Sequence, residues 1–488
     1  MTLKKLWLAR RFRMILAVLL AAVLSLPVSA EDIDAAINQR IDDSYTENVR
    51  TARSIWEWAE LGYLEEKSST LLQQQLRDAG FAVTAGIAEM PTAFVATYGK
   101  GGPVLGILAE FDALPGISQD DTPGRSPRSD LSSGHACGHH LFGTASVAAA
   151  IAVAEWLQAS GTPGTIRVYG SPAEEGGSGK VYLVRDGQFS DVDTVLHWHP
   201  ASKNTANMEV NLANRSAKFR YHGISTHAAG APASGRSALD GVEAMNAMVN
   251  LMREHIPQEA RIHYVITSGG AAPNVVPDFA EVFYYVRHPE PAVLDSIWKR
   301  VVAAAEGAAM GTGTTMDFEI IHGNRNVLPN ETLQKIMHAK LSAIGGIQYD
   351  DAETEFAEKI YATLIDPQRA IGNQEIVEPL KEDSSSGSTD VGDVSWVVPT
   401  GGVRVATWVP GTSGHSWQAI AAGGTTIGYK GMQVAAKVLA QAAIELYKSP
   451  GVVTQAKAEL NERRGKDFVY TPLLGDRKPP LDFRKGTQ

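Results

Sequence analysis

The chain has 488 residues, more than one typical domain holds. Hydrophobic residues make up 44% and charged residues 20%, the balance of a folded globular protein. The formal net charge of −10 argues against a nucleic-acid backbone binder, which would be basic.

The first thirty residues read as a secretory signal peptide. Lys4, Lys5, Arg10, Arg11 and Arg13 form a basic start, Met14 to Val28 is apolar, and Val28-Ser29-Ala30 supplies a cleavage site. The alternative is a membrane anchor, but the apolar run falls short of the roughly 20 residues a spanning helix needs. Arg10-Arg11-Phe12 hints at twin-arginine export. The expected location is therefore periplasmic or secreted, with no membrane attachment once the leader is cut. Cys137 is the only cysteine, so no intramolecular disulfide can form. A lone thiol in an oxidising compartment calls for burial or a metal bond.

The mature chain opens with a helical pattern over Ile33 to Leu61 and a second helix over Ser68 to Ala79. Thr92 to Tyr98 and Val104 to Phe111 read as strands. Leu141 to Leu157 is a helix with almost no polar face, hence buried. Thr165 to Gly170 and Thr194 to Trp198 are buried strands. This alternation predicts an α/β domain, a mainly parallel sheet sandwiched by helices. Near residue 213 the pattern changes to strand (Ser216 to His222), helix (Ser237 to His255), two strands (Arg261 to Thr267, Ala280 to Arg287), helix (Ala292 to Met310) and strand (Thr315 to His322). That order predicts an inserted ferredoxin-like α+β domain over 213–326. It divides the catalytic domain into 31–212 and 327–450. The second part carries helices at Glu331 to Ala343 and Asp350 to Leu364, a Ser/Gly loop at Ser384 to Ser388, a strand at Val403 to Trp408 and a closing helix at Gly431 to Tyr447. The charged, Pro-rich tail 451–488 is expected to pack loosely.

Several chemistry-bearing clusters fall just past predicted strands, where open α/β sheets place their ligands. They are Glu110-Phe111-Asp112, Glu174-Glu175 and His197-Trp198-His199, with His415 later in the chain. His135, Cys137, His139 and His140 lead into the buried helix. A lone histidine is more often a core or solvated residue than a ligand. Three beside the only cysteine shift that balance, because thiolate, imidazole and carboxylate are the ligand set of zinc and similar ions. Adjacent buried acids repel unless cations balance them. Such a pair can divide the work, one binding metal and one moving a proton.

These motifs resemble those of the dinuclear metallo-amidohydrolases, a family that includes aminoacylases, glutamate carboxypeptidases and auxin-conjugate hydrolases; the likeness is nearest to its p-aminobenzoyl-glutamate-hydrolysing branch. Gly-His-Ala-Cys-Gly-His, Pro-Ala-Glu-Glu-Gly, Ser-Thr-His-Ala-Ala, Pro-Asn-Val-Val and His-Ser-Trp-Gln carry the likeness together, between about Glu110 and Gln418. The resemblance implies two divalent ions, zinc or manganese, held by Cys137, His139, Glu175, His199 and His415. It points to His199 rather than His197. It implies Glu174 as general base and Asp112 as the carboxylate orienting a ligand histidine. The inserted domain is implied to be a lid and dimerisation unit. There His227 resembles a histidine given across the dimer to the scissile carbonyl, and Asn274 and Arg287 resemble residues gripping the substrate carboxylate; for Arg287 a surface salt bridge is the alternative. The partner is a second copy or a related subunit. The implied reaction is hydrolysis of an N-acyl or N-aroyl amino acid such as p-aminobenzoyl-glutamate. A dipeptidase, another aminoacylase or a non-catalytic binding protein are the alternatives. His140 stands where auxin-conjugate hydrolases have Asp, and Asp390 has no assigned role.

Overall fold

The computed structural model describes residues 30–485. The expected signal peptide, save Ala30, lies outside them. The first helical pattern is two helices, α1 (Ala30–Asp43) and α2 (Tyr45–Trp58), rather than one. Ser44 causes the break: its hydroxyl and its N–H both donate to the Ile41 carbonyl, at 2.9 and 3.2 Å. That local bond competes with helix continuation. Helix α3 (Glu66–Asp78) follows.

Strands β1 (Ala82–Ala85), β2 (Phe94–Lys100) and β3 (Val104–Glu110) come next, then a small ribbon of β4 (Leu114–Pro115) and β5 (Ser133–Gly134). Helix α4 (His139–Ser160), β6 (Gly164–Ser171), α5 (Gly179–Arg185), β7 (Thr194–Ala201) and β8 (Met208–Val210) complete the first part. The six-stranded sheet has the order β1-β2-β6-β3-β7, finished at its edge by β14 (Thr400–Ala406). The last four of these are mutually parallel, and β1 and β2 are antiparallel additions. Strand β1 escaped the sequence reading because its four residues are mostly exposed.

Among the described helices, α4 alone is long and apolar enough to cross a bilayer, yet it is packed inside the molecule. Its small residues let it approach the sheet closely. A Cβ at Gly143 would sit 2.7 Å from the Glu110 carbonyl oxygen at the end of β3.

The second sheet has four antiparallel strands in the order β10-β11-β9-β12. These are β9 (Ala213–His222), β10 (Arg261–Ser268), β11 (Phe279–His288) and β12 (Thr315–Asn324), with α6 (Ala238–Met252) and α7 (Pro291–Thr312) between them. This is the split βαβ arrangement. Its own core includes Phe219, Tyr221, Tyr284 and Trp298.

The chain returns through α8 (Glu331–Ile344), α9 (Asp351–Tyr361), β13 (Glu382–Ser384), α10 (Val391–Val397), α11 (Trp417–Gly423) and α12 (Thr426–Lys448). The start of the expected Ser/Gly loop is strand β13, paired with β8. The tail departs most from expectation. It opens with α13 (Pro450–Arg464) and then lies down as an ordered strap. Leu473 enters the core of the second sheet and Leu474 that of the first. Each such burial is worth about 1.5–3 kcal/mol, which is why a stretch of loose composition is held in place.

Candidate metal centre

The parallel strands deliver their chemistry at one end of the sheet. Asp112 follows β3, Glu174 and Glu175 follow β6, His199 lies near the end of β7, and His415 comes after β14. Cys137 and His139 flank the start of α4. Gly138 between them takes φ 77°, and a Cβ there would press to 2.7 Å from Pro200. A left-handed conformation and a close approach together favour glycine.

Four triads of possible ligand atoms form among the described residues, and Cys137 belongs to two of them. Donor atoms of Cys137, His139 and His199 lie within 4.8 Å of one another, as do those of Cys137, Glu175 and His415. Cys137 Sγ is 3.4 Å from His199 Nε2, and His415 Nε2 is 3.2 Å from Glu175 Oε1. Asp112 orients two members of the set. Its Oδ1 accepts from His139 Nδ1 at 2.9 Å, and its Oδ2 accepts from the Glu175 backbone N–H at 2.9 Å. With Nδ1 committed there, His139 turns Nε2 toward the centre. That Nε2 faces Glu110 Oε2 at 3.1 Å and Glu175 Oε1 faces His415 Nε2, neither in a well-directed hydrogen bond. Cys137 and Glu175, facing its ring as acceptors, pull His415 up to about 11. Poorly satisfied ligand atoms around a shared thiol, and a negative field strong enough to draw a proton onto His415, fit a pair of divalent cations.

Glu174 belongs to a triad with His139 and Glu175, and to another with Glu110 and Asp390. Desolvation pushes its carboxyl well above the usual range, and the charges of Glu110, Glu175 and Asp390 add to this. A group so perturbed can hold a proton near neutrality. Beneath it lies a fully buried ion network: Lys180 Nζ reaches Glu110 at 2.6 Å and Asp390 at 2.7 Å. Asp390 also accepts from the Lys180 backbone N–H at 2.8 Å. Lys180 escaped the sequence reading; the signal was a lysine opening the apolar run Val181 to Val184. Arg404 escaped it too, as the one charge in the apolar strand β14. Desolvation opposes its charge, and Glu209, bonded at 2.8 and 3.1 Å, outweighs that and keeps the guanidinium ionised.

The remaining histidines of the motifs belong to none of these triads, though His197 lines the cleft beside them. His135 bonds the Ile55 carbonyl and His140 the Gly423 carbonyl. Desolvation lowers His140 to about 3. His197 packs over Gly402, where a Cβ would come within 2.2 Å of its ring. Of the residues expected to touch substrate, Arg287 donates to Ser388 Oγ at 3.0 Å, and Ser388 lines the cleft of about 600 Å³ that contains the triads. The salt-bridge alternative for Arg287 has no support among the described ion pairs. His227 and Asn274 lie together on the second domain, linked by a bond from Ala228 N–H to the Asn274 carbonyl, and neither lines that cleft.

Residues 106–415 match the model of peptidase family M20/M25/M40. The chain belongs to this family. It is 39% identical over 477 residues to one of the subunits of p-aminobenzoyl-glutamate hydrolase from Escherichia coli (strain K12), covering 91% of this chain and 98% of that one. It is 30% identical over 446 residues to the Xaa-Arg dipeptidase of Mus musculus, covering 87% and 92%. The fold matches a dinuclear metal-binding M20 peptidase of Bacillus subtilis at TM-score 0.56 and 18% identity, over 83% of this chain and 99% of that one. An aminobenzoyl-glutamate utilization protein from Klebsiella pneumoniae superposes at TM-score 0.61 and 17% identity, over 84% and 98%. The chain is thus a metal-binding hydrolase of amide bonds, with an M20 catalytic domain and lid.

Proposed function

We propose that this hydrolase cleaves the amide of N-acyl or N-aroyl amino acids, with p-aminobenzoyl-glutamate the first substrate to try. The observation that carries the reading is the thiol of Cys137, common to two ligand triads and set beside a desolvated Glu174. Cys137, His139 and His199 would hold one ion and Cys137, Glu175 and His415 the other; the ligand set suits zinc or manganese. Bound cations supply Lewis acidity toward water and the amide carbonyl. Glu174 takes a proton from the attacking water and hands it to the departing nitrogen as the C–N bond breaks. Asp112 keeps His139 in the ligating tautomer. Arg287, at the cleft edge, receives the free carboxylate, and Asn274, which lies beside His227, joins it from the opposite protomer of a dimer. His227 steadies the carbonyl oxygen from the opposite protomer of a dimer. What supports a dimer is the apolar edge strand of the lid, where Tyr264, Val265 and Ile266 are exposed beside Leu251 of α6. The E. coli relatives include two different subunits of p-aminobenzoyl-glutamate hydrolase, which keeps a related polypeptide in view as partner. The signal-like leader supports export.

The test is hydrolysis of p-aminobenzoyl-glutamate, N-acetyl amino acids and dipeptides, among them Xaa-Arg, with and without chelator. Activity disappears with chelator and returns with zinc or manganese. Glu174→Ala keeps its metals and loses about 10²–10⁴ in turnover. A Glu174→Ala protein working at the wild-type rate would remove the base assignment. A preference for Xaa-Arg would replace the acyl-amino-acid reading by a dipeptidase.

A further inference from the structure

We infer that Arg484 is a positioning residue for the Glu174–Glu175 turn, brought there by a strap that also fastens the lid. The inference rests on the functional reading above for what the turn does, and on the geometry alone for how it is held.

The turn needs holding. Ala173, Gly176 and Ser178 all have positive φ, at 56°, 90° and 63°. Non-glycine residues in that region cost about 1–2 kcal/mol each, so the shape persists only where surroundings impose it. Three anchors are visible. Glu65 Oε1 accepts from the Ala173 N–H at 2.9 Å, and Asp112 Oδ2 accepts from the Glu175 N–H. The third is Arg484, whose Nη2 donates to the Glu175 carbonyl at 2.8 Å. Glu175 is therefore gripped on both sides of its own backbone, by an acid at N–H and a cation at C=O. The Arg484 guanidinium also lies over the Phe483 ring, 4.6 Å from its centroid. Phe483 in turn packs edge-on against Tyr63, whose hydroxyl donates to the Gly177 carbonyl at 2.7 Å. None of Tyr63, Phe483 and Arg484 lines the cleft that contains the triads.

The same strap is tied to both domains on its way there. Tyr470 donates to Asp393 at 2.7 Å, and the Leu473 carbonyl accepts from Arg215 of β9 at 2.9 Å. Arg477 bonds Glu319 of β12 at 2.7 Å and the Ile321 carbonyl. Arg185 of α5 holds the Gly475 and Arg477 carbonyls at 3.1 and 2.7 Å. The charge of Arg484 faces Asp112 and Glu175 of the metal centre and Tyr285 of the lid. A displacement of the lid is thereby transmitted to the peptide that carries a ligand.

The test uses the full chain. Arg484→Ala, Arg484→Lys and, as a strap control, Lys478→Ala are compared with wild type. The Lys478 side chain pairs with Glu89 at the surface, and its carbonyl, which accepts from the Tyr182 hydroxyl at 3.3 Å, is kept in Lys478→Ala. Binding of zinc or manganese is titrated against a chromogenic chelator, and KM, kcat and Tm are measured. Arg484→Ala weakens one of the two ions about ten-fold and lowers kcat about ten-fold, the scale seen when support behind a ligand is removed. KM and Tm stay near wild type, Arg484→Lys recovers most of the loss, and Lys478→Ala behaves as wild type. The proposal fails if Arg484→Ala binds both ions and turns over like wild type. It fails equally if both ions weaken together with a fall in Tm that Arg484→Lys does not restore, since the strap would then only stabilise the fold. A wild-type protein that hydrolyses no amide would end the functional reading, while the two-ion titration would still decide the role of Arg484.

Discussion

Cys137 and His415 occupy unequal positions in the ligand set, although each supplies one atom. The thiol belongs to two triads and the late imidazole to one. His415→Ala is expected to bind about one ion per chain where wild type binds two, and Cys137→Ser to lose both, because a serine hydroxyl remains neutral where the thiolate ionises. Elemental analysis after desalting reads this directly. A second residue-scale expectation concerns Asp393, which desolvation raises to about 7. Its folded value lies above the unfolded one near 4, so its contribution favours the fold below about pH 4 and is lost as pH rises through about 7. Asp393→Asn keeps the size, accepts from the Arg325 N–H through its one carbonyl oxygen, donates to the Tyr470 hydroxyl in place of accepting from it, and removes that loss. Its Tm gain over wild type should be larger at pH 8.5 than at pH 5, and equal gains at both would refute the assignment. At this scale the candidate ligands, which the structure gathers at one end of the sheet, were legible because they sit in short motifs near strand ends. Lys180 and Arg404 were poorly legible, because what matters about them is the distant carboxylate each one faces.

Elements were legible where hydrophobic period spoke clearly. The buried helix α4, the parallel strands and the alternating strands of the lid announce themselves through pattern and small apolar residues. The bend at Ser44 depends on one side-chain bond to a carbonyl three residues back, and the pairing of β8 with β13 on partners far apart in the chain; neither leaves a periodic trace. The contact of α4 with β3 yields an element-scale prediction. Gly143→Ala puts a methyl 2.7 Å from the Glu110 carbonyl and 3.1 Å from Leu72, driving the helix off the strand. A stability loss of about 1–3 kcal/mol is expected, read as the urea midpoint. Turnover should drop with it, since His139 on the helix and Asp112 beyond the strand share a hydrogen bond. A variant as stable as wild type would mean that the helix can shift without cost.

Across the whole molecule, the strap was the least legible part. Its charged and Pro-rich composition carries no period, and its partners belong to two different domains. The lid poses the complementary question, since His227 lies away from the cleft of its own chain. If the lid edge joins two copies, Val265→Asp should yield monomers by size-exclusion chromatography and abolish turnover. Equal amounts of Glu174→Ala and His227→Ala protein, each inactive alone, should then recover about a quarter of the wild-type rate on mixing, since half the dimers carry one intact site of two. No recovery, with dimers still exchanging, would place His227 outside the reaction.

Arg484 is 309 positions from the carbonyl it holds. During translation at about 5–20 residues per second, the Glu175 peptide waits about 15–60 s for that bond. A nascent or nicked polypeptide that stops in between already displays every ligand atom up to His415 but has no clasp behind the turn. The last-made part of the chain thereby finishes the shape of a turn made long before, and a product cut short of it should lose at least what Arg484→Ala loses.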